Sequence, residues 1–147
     1  ILYNTLKRGH ADDTLCDNSD KLIAFHVHPQ KYTCSVIPSV QDLVYFATRS
    51  YTFKKHYVVT RMGVWTIYPI QHNSVFLPFI FGKFEKWGCN QYKTTKRNQT
   101  EAYKKHIEEY LKTAKQYKLK ICHSYYDDLN NFPPETVKIF KKLSKML

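Results

Sequence analysis

The sequence predicts an α+β fold: a single domain with a twisted antiparallel sheet, one short helix before it, two basic amphipathic helices after it, and two disulfides. Three observations predict it. The stretch His56–Cys89 is the most apolar and aromatic part of the chain and reads as two strand runs, YVVTRMGVWTIYPI and SVFLPFIFGKF, around a polar Gln71-His72-Asn73. Val, Ile, Tyr, Phe and Trp suit a pleated, half-buried surface. Apolar residues then recur at helical spacing in the lysine-rich final third. Finally, four cysteines are spread along the chain with no C-x-x-C pair. The expected division is 1–20 as a stapled N-terminal loop, 21–92 as the sheet core with its short helix, and 93–147 as a helical tail. Pro69 and Pro78 mark interruptions or edges, because proline cannot donate to a ladder.

At 147 residues, 43% hydrophobic, the chain can bury a core of its own and is not disordered. Four glycines argue against glycine-rich phosphate loops. No apolar run approaches the roughly 20 residues of a membrane helix. The chain starts at Ile1 with no Met and no signal-peptide pattern, as a mature form after signal cleavage or a recombinant fragment would. The widely spaced cysteines, Cys16, Cys34, Cys89 and Cys122, argue against zinc or a redox pair and for two disulfides in a secreted protein; four free thiols in a cytosolic protein are the alternative. The sequon Asn98-Gln99-Thr100 leans the same way. Three connectivities are open. Long-range pairs, Cys34 with Cys89 and Cys16 with Cys122, are favoured, since each would close a long loop and contribute roughly 3–4 kcal/mol.

The net charge of +11 is uneven. Residues 1–82 carry eight Lys/Arg against five Asp/Glu, whereas residues 83–147 carry fifteen against seven. A basic face of this kind attracts nucleic acid, sulfated glycans, anionic lipid or an acidic protein. The plainer reading is a solvated lysine surface.

Taken in order, residues 1–20 show no period. Asp12, Asp13, Asp17 and Asp20 lack the spacing of a calcium loop and read as solvated acids. Lys21–Cys34 begins with a strand whose Leu22, Ala24, His26 and His28 share one face and whose Ile23, Phe25 and Val27 share the other. His26 and His28 are then placed for a metal pair or for a general base with an acid. A third ligand would have to come from His10, His56, His72 or His123. The competing expectation is two half-exposed histidines on a solvent face, so no metal or cofactor is expected. In Ser35–Ser50, Val40, Leu43, Val44 and Ala47 make a helix face. Pro38 precedes it, and Ser39 with Asp42 resembles a capping box with aspartate in place of glutamate.

Tyr32-Thr33-Cys34, the short helix, aromatic strands containing Tyr68-Pro69 and the late Cys89 together resemble the ribonuclease-like secreted effectors of powdery mildew fungi. The resemblance covers residues 32–89 and rests on Y-x-C as its motif. It implies a ribonuclease fold that has usually lost its catalytic residues and serves as a binding module. Tyr32, Cys34 and Cys89 would be structural positions, with a disulfide from the motif cysteine to the late one.

In Asn98–Leu119, Tyr103, Ile107, Tyr110, Leu111, Ala114 and Tyr117 form one apolar stripe, with Lys104, Lys105, Lys112, Lys115 and Lys118 over much of the rest. Asn98 with Glu101 is a plausible N-cap, a role that competes with glycosylation at Asn98. Lys120–Asn131 holds a short strand at Cys122. Pro133-Pro134-Glu135 opens a last helix with Val137, Phe140, Leu143 and Leu147 inside and Lys138, Lys141, Lys142 and Lys145 outside.

No motif of a known chemistry is present. The expected function is therefore a secreted, disulfide-stabilised basic binding protein of effector or toxin type, non-catalytic, acting on RNA, a sulfated glycan or a host protein. Lys104, Lys105, Lys112, Lys115, Lys138 and Lys142 would carry the contact, and the protein would be a monomer with no membrane span. A second reading is a small ribonuclease using His26 or His28 with His56 or His72, and Arg61 or Lys55 as the cation. A third is a carrier whose sheet closes around an apolar ligand.

Overall fold

In a computed structural model the residues described are 2–5, 22–28, 36–48, 52–71, 76–94 and 99–147. They form β1 (Leu2–Thr5), β2 (Leu22–Val27), α1 (Val40–Thr48), β3 (Phe53–Thr60), β4 (Gly63–Ile67), α2 (Leu77–Thr94), α3 (Gln99–Gln116), β5 (Ile121–Ser124) and α4 (Pro134–Ser144). The fold is α+β, with five strands in the order β1-β2-β3-β4-β5.

The sheet is mixed, not antiparallel as expected. β2 runs parallel to β3, with Phe25 opposite Tyr57, while the other three pairings are antiparallel. Parallel neighbours need a crossover, and the segment that returns carries α1. A crossover helix covers a face, so the sheet is buried on both sides. Period-2 alternation sorts the residues. Ala24, Val58, Trp65 and Ile67 meet Leu43 and Phe46 of α1, Leu77, Phe81 and Phe84 of α2, and Tyr103, Ile107, Tyr110 and Ala114 of α3. Their strand neighbours Ile23, Phe25, Val27, Tyr57, Val59 and Val64 meet Phe140 and Leu143 of α4 on the far side. Full burial of each Val, Leu, Ile or Phe among them contributes about 1.5–3 kcal/mol. Trp65 is fully buried, and its indole N–H donates to the carbonyl of Val36 at 2.8 Å.

The capping box at α1 forms as the sequence suggested. The Asp42 N–H donates to Ser39 Oγ and the Ser39 N–H to Asp42 Oδ2, each at 2.9 Å. The run SVFLPFIFGKF departs from expectation: it leads into helix α2 and is not a strand. Leu77, Phe81 and Phe84 are buried and Ile80 half-buried, which is i, i+3, i+4, i+7 spacing. Pro78 sits in the first turn, where a missing N–H costs nothing. Phe76 and Phe79 face outward, 60% and 84% exposed, and made the stretch look uniformly apolar.

The tail is not purely helical, because β5 leaves α3, pairs with β4 and only then leads to α4. Residues 2–5, expected in a loop, form an edge strand on β2. Among the described residues β1 and β5 are the two edges of an open sheet. Cys122 lies on β5 with an exposed, free thiol, so the expected Cys16–Cys122 bridge is not formed. Cys16, Cys34 and the Cys89 side chain lie outside the described residues. Cys89 belongs to α2 and does not end a strand. Among the described residues no helix is long and apolar enough to cross a membrane.

Gly63 opens β4 with φ +123°, and a Cβ there would stand 2.3 Å from the Ser124 carbonyl oxygen. Gly63→Ala should therefore destabilise the chain by about 3 kcal/mol, from strain plus a backbone clash. Gly82→Ala, at a helical site with nothing within 4 Å, should stabilise it by up to about 1 kcal/mol. Urea midpoints of the two variants moving the same way would contradict this placement of β4 against β5.

Candidate functional site

Two constellations stand out. The first lies where β2 meets the start of α1. His26 projects from β2, His28 follows directly after its last residue, and Asp42 reaches both from the first turn of α1. Asp42 Oδ1 is 3.1 Å from His26 Nδ1, and Oδ2 is 2.8 Å from His28 Nε2. The imidazoles stand edge to face with centroids 4.9 Å apart. His56, on neighbouring β3, brings its ring centroid to 5.8 Å from that of His26 and is fully buried against Phe46. Neither His56 nitrogen has a hydrogen-bond partner among the described residues, nor has His28 Nδ1.

Burial raises the Asp42 carboxyl, but the His28 hydrogen bond, the charges of His28 and His26 and the Ser39 N–H together hold it well below the usual carboxylate range. Burial draws His26 down to about 4 against the pull of Asp42. It does the same to His56, also to about 4. Both rings are neutral at pH 7. A two-histidine ribonuclease needs one imidazolium as its acid and a cation beside the phosphate. Arg61 packs its guanidinium 4.6 Å over the ring of Tyr103 and donates to that hydroxyl. The sequence paired His26 with His28 and offered His56 as one of four third partners, and the structure places all three rings together. Sequence reasoning assigned Asp42 only to the helix cap. His123 lies elsewhere, against Trp65 and bonded to the Met62 carbonyl at 2.9 Å. His10 and His72 lie outside the described residues.

The second constellation is basic. α3 ends in a Schellman motif: Leu119 N–H donates to Ala114 O at 2.8 Å and Lys118 N–H to Lys115 O at 3.0 Å. The residue that must turn left-handed there is Lys118, with φ 58°. Glycine is the usual occupant, and a side chain there costs about 1–2 kcal/mol. Lys115, Lys118 and Lys120 then line a concavity of about 440 Å³ floored by Leu111, Leu119 and Ile121, with no acid in its walls among the described residues. Lys120 Nζ lies 4.2 Å and Lys55 Nζ 5.5 Å from the ring centroid of Tyr68, whose N–H donates to the Lys120 carbonyl at 3.1 Å.

The lysines expected to carry contacts do not form one surface. Lys138 and Lys142 ride on α4, on the other face of the sheet from α3. Lys104 lies 3.8 Å from Glu101, and Lys105 shares its side of α3 with Glu108 and Glu109. Lys112 is exposed on α3, and only Lys115 of the expected set lines the basic concavity. The glutamates are three or four residues from those lysines, a spacing at which charges offset each other. Lys55, Lys118 and Lys120 were missed as a group because they meet only after the chain folds. Asn98 lies outside the described residues, one position before α3.

Four histidines, His26, His56, His106 and His123, are each drawn to about 4 with burial as the leading cause. The unfolded chain takes up protons near pH 6.5 and the folded chain resists until about 4. Stability is therefore full above pH 6.5 and falls as pH drops towards 4. His106, stacked 4.1 Å from Trp87, contributes to that slope. His106→Phe should unfold at urea midpoints that fall less between pH 7 and pH 4.5 than the wild type's. Equal slopes would contradict its burial as a neutral ring. No protein-family model, no curated protein and no solved structure matches this chain.

Proposed function

We propose that this chain is a secreted basic binding module of effector or toxin type that grips an anionic macromolecule through the lysine concavity at the end of α3. One observation carries the reading. Lys118 holds a left-handed backbone that glycine would adopt freely, and its side chain lines the basic concavity. Strain kept at a chosen residue points to a use for that residue. The three lysines share an apolar floor, and Lys120 also lies over Tyr68, which suits a chain of phosphate or sulfate groups carried on a less polar backbone. Secretion is supported by the Asn98 sequon, and a Cys34–Cys89 bridge, the one expected pairing that the free Cys122 leaves open, fits the resemblance to secreted ribonuclease-like effectors.

Heparin and single-stranded RNA are the two probes, one for sulfate and one for phosphate. Affinity for one of them should fall linearly with log salt, and Lys115→Glu, Lys118→Glu and Lys120→Glu together should flatten the slope by about 3. The matched reversal of Lys138, Lys141 and Lys142 should leave it unchanged. Lys118→Gly should raise stability by about 1 kcal/mol while weakening the same binding. Neither probe binding, or the α4 set mattering more, would overturn the reading.

Non-reduced peptide mapping tests the compartment. A Cys34–Cys89 linkage with Cys122 alkylated before reduction is the expected map. Four thiols that alkylate without reduction, in protein recovered from an oxidising compartment, would contradict it.

A further inference from the structure

We propose that His26, His28 and Asp42 bind one divalent transition-metal ion, Zn²⁺ by their chemistry, with His56 as the fourth donor. Two imidazoles and a carboxylate are borderline donors of the kind Zn²⁺ takes, at about 2.0–2.2 Å. Their donor atoms already lie within 4.8 Å of one another. Tetrahedral donors around such an ion stand about 3.3 Å apart, slightly wider than the 2.8 and 3.1 Å contacts that Asp42 now makes. Two imidazoles on one ion have centroids about 5 Å apart. His26 and His28 stand at 4.9 Å and His26 and His56 at 5.8 Å. Ion binding therefore needs the two His–Asp contacts to open by a few tenths of an ångström, the widest donor pair to close from up to 4.8 Å towards 3.3 Å, and His56 to turn inward.

His56 supplies the independent observation. It is fully buried beside the cluster, and both its nitrogens lack partners among the described residues. A buried imidazole with no hydrogen bond costs free energy, and a ligand that satisfies it recovers that cost. The anchoring is rigid. β2 fixes the two histidines on one face, and the capping box fixes Asp42 through Ser39. His26 is the partly exposed member and marks the side from which an ion enters.

The full chain is stripped with chelator and titrated with Zn²⁺, then with Co²⁺ as a coloured probe. One equivalent should bind, the thermal midpoint should rise by roughly 5–10 °C at a hundredfold excess over Kd, and cobalt should show the intense visible bands of four-coordinate nitrogen and oxygen ligation. Asp42→Asn and His28→Gln should abolish these effects. His56→Phe should keep the one-to-one stoichiometry and weaken affinity about 10–100-fold. Circular dichroism reports whether each variant folds; if the buried variants unfold, the cobalt spectrum of the wild type still decides. Weak six-coordinate cobalt bands, a thiolate charge-transfer band that moves the ion to cysteine, or unchanged affinity in His56→Phe would each overturn the proposal as stated.

Discussion

The parallel pairing of β2 with β3 governs the rest of the molecule. A parallel pair cannot be joined by a tight turn, so the chain must leave β2, cross a face of the sheet and return. The crossing segment contains α1. Its first turn comes to rest against the end of β2, which puts Asp42 over His26 and His28. The same pairing makes the central strands apolar on both sides, and α4 closes the side that α1, α2 and α3 leave open. The separation of the two lysine-bearing helices onto opposite faces follows from that closure.

Much of this was legible in the sequence where the signal is local. The strand at 22–27, the cap at Ser39 and Asp42 and the apolar stripe of α3 each depend on residues within a few positions of one another. The parallel pairing was not legible, because register between distant strands leaves no mark in either strand alone. α2 was misread for a different reason. Phe76, just ahead of α2, and Phe79, on its outer face, are exposed aromatics, and a dense apolar run carries no visible period. Tyr117 belonged to the expected stripe and is 45% exposed, because α3 ends at Gln116.

The candidate sites divide the same way. His26 and His28 shared a face by simple alternation, but their third partner came from another element that already had a local role. A side chain that caps a helix and also contacts two histidines cannot be recognised from the cap alone. The lysine concavity was hidden by abundance. With 23 Lys and Arg in the chain, helical wheels pick out many exposed lysines, and only folding shows which of them share one concavity. Lys118 is distinguished by its backbone, a property no composition reveals.

The central claim is that the end of α3, and not the surface of α4, meets the partner. Lysine acylation mapped by mass spectrometry, with and without saturating heparin or RNA, tests it on the unmodified protein. The account predicts that Lys115, Lys118, Lys120 and Lys55 are protected while Lys138, Lys141, Lys142 and Lys145 react as before. Protection confined to α4, or spread evenly over all the lysines, would contradict it.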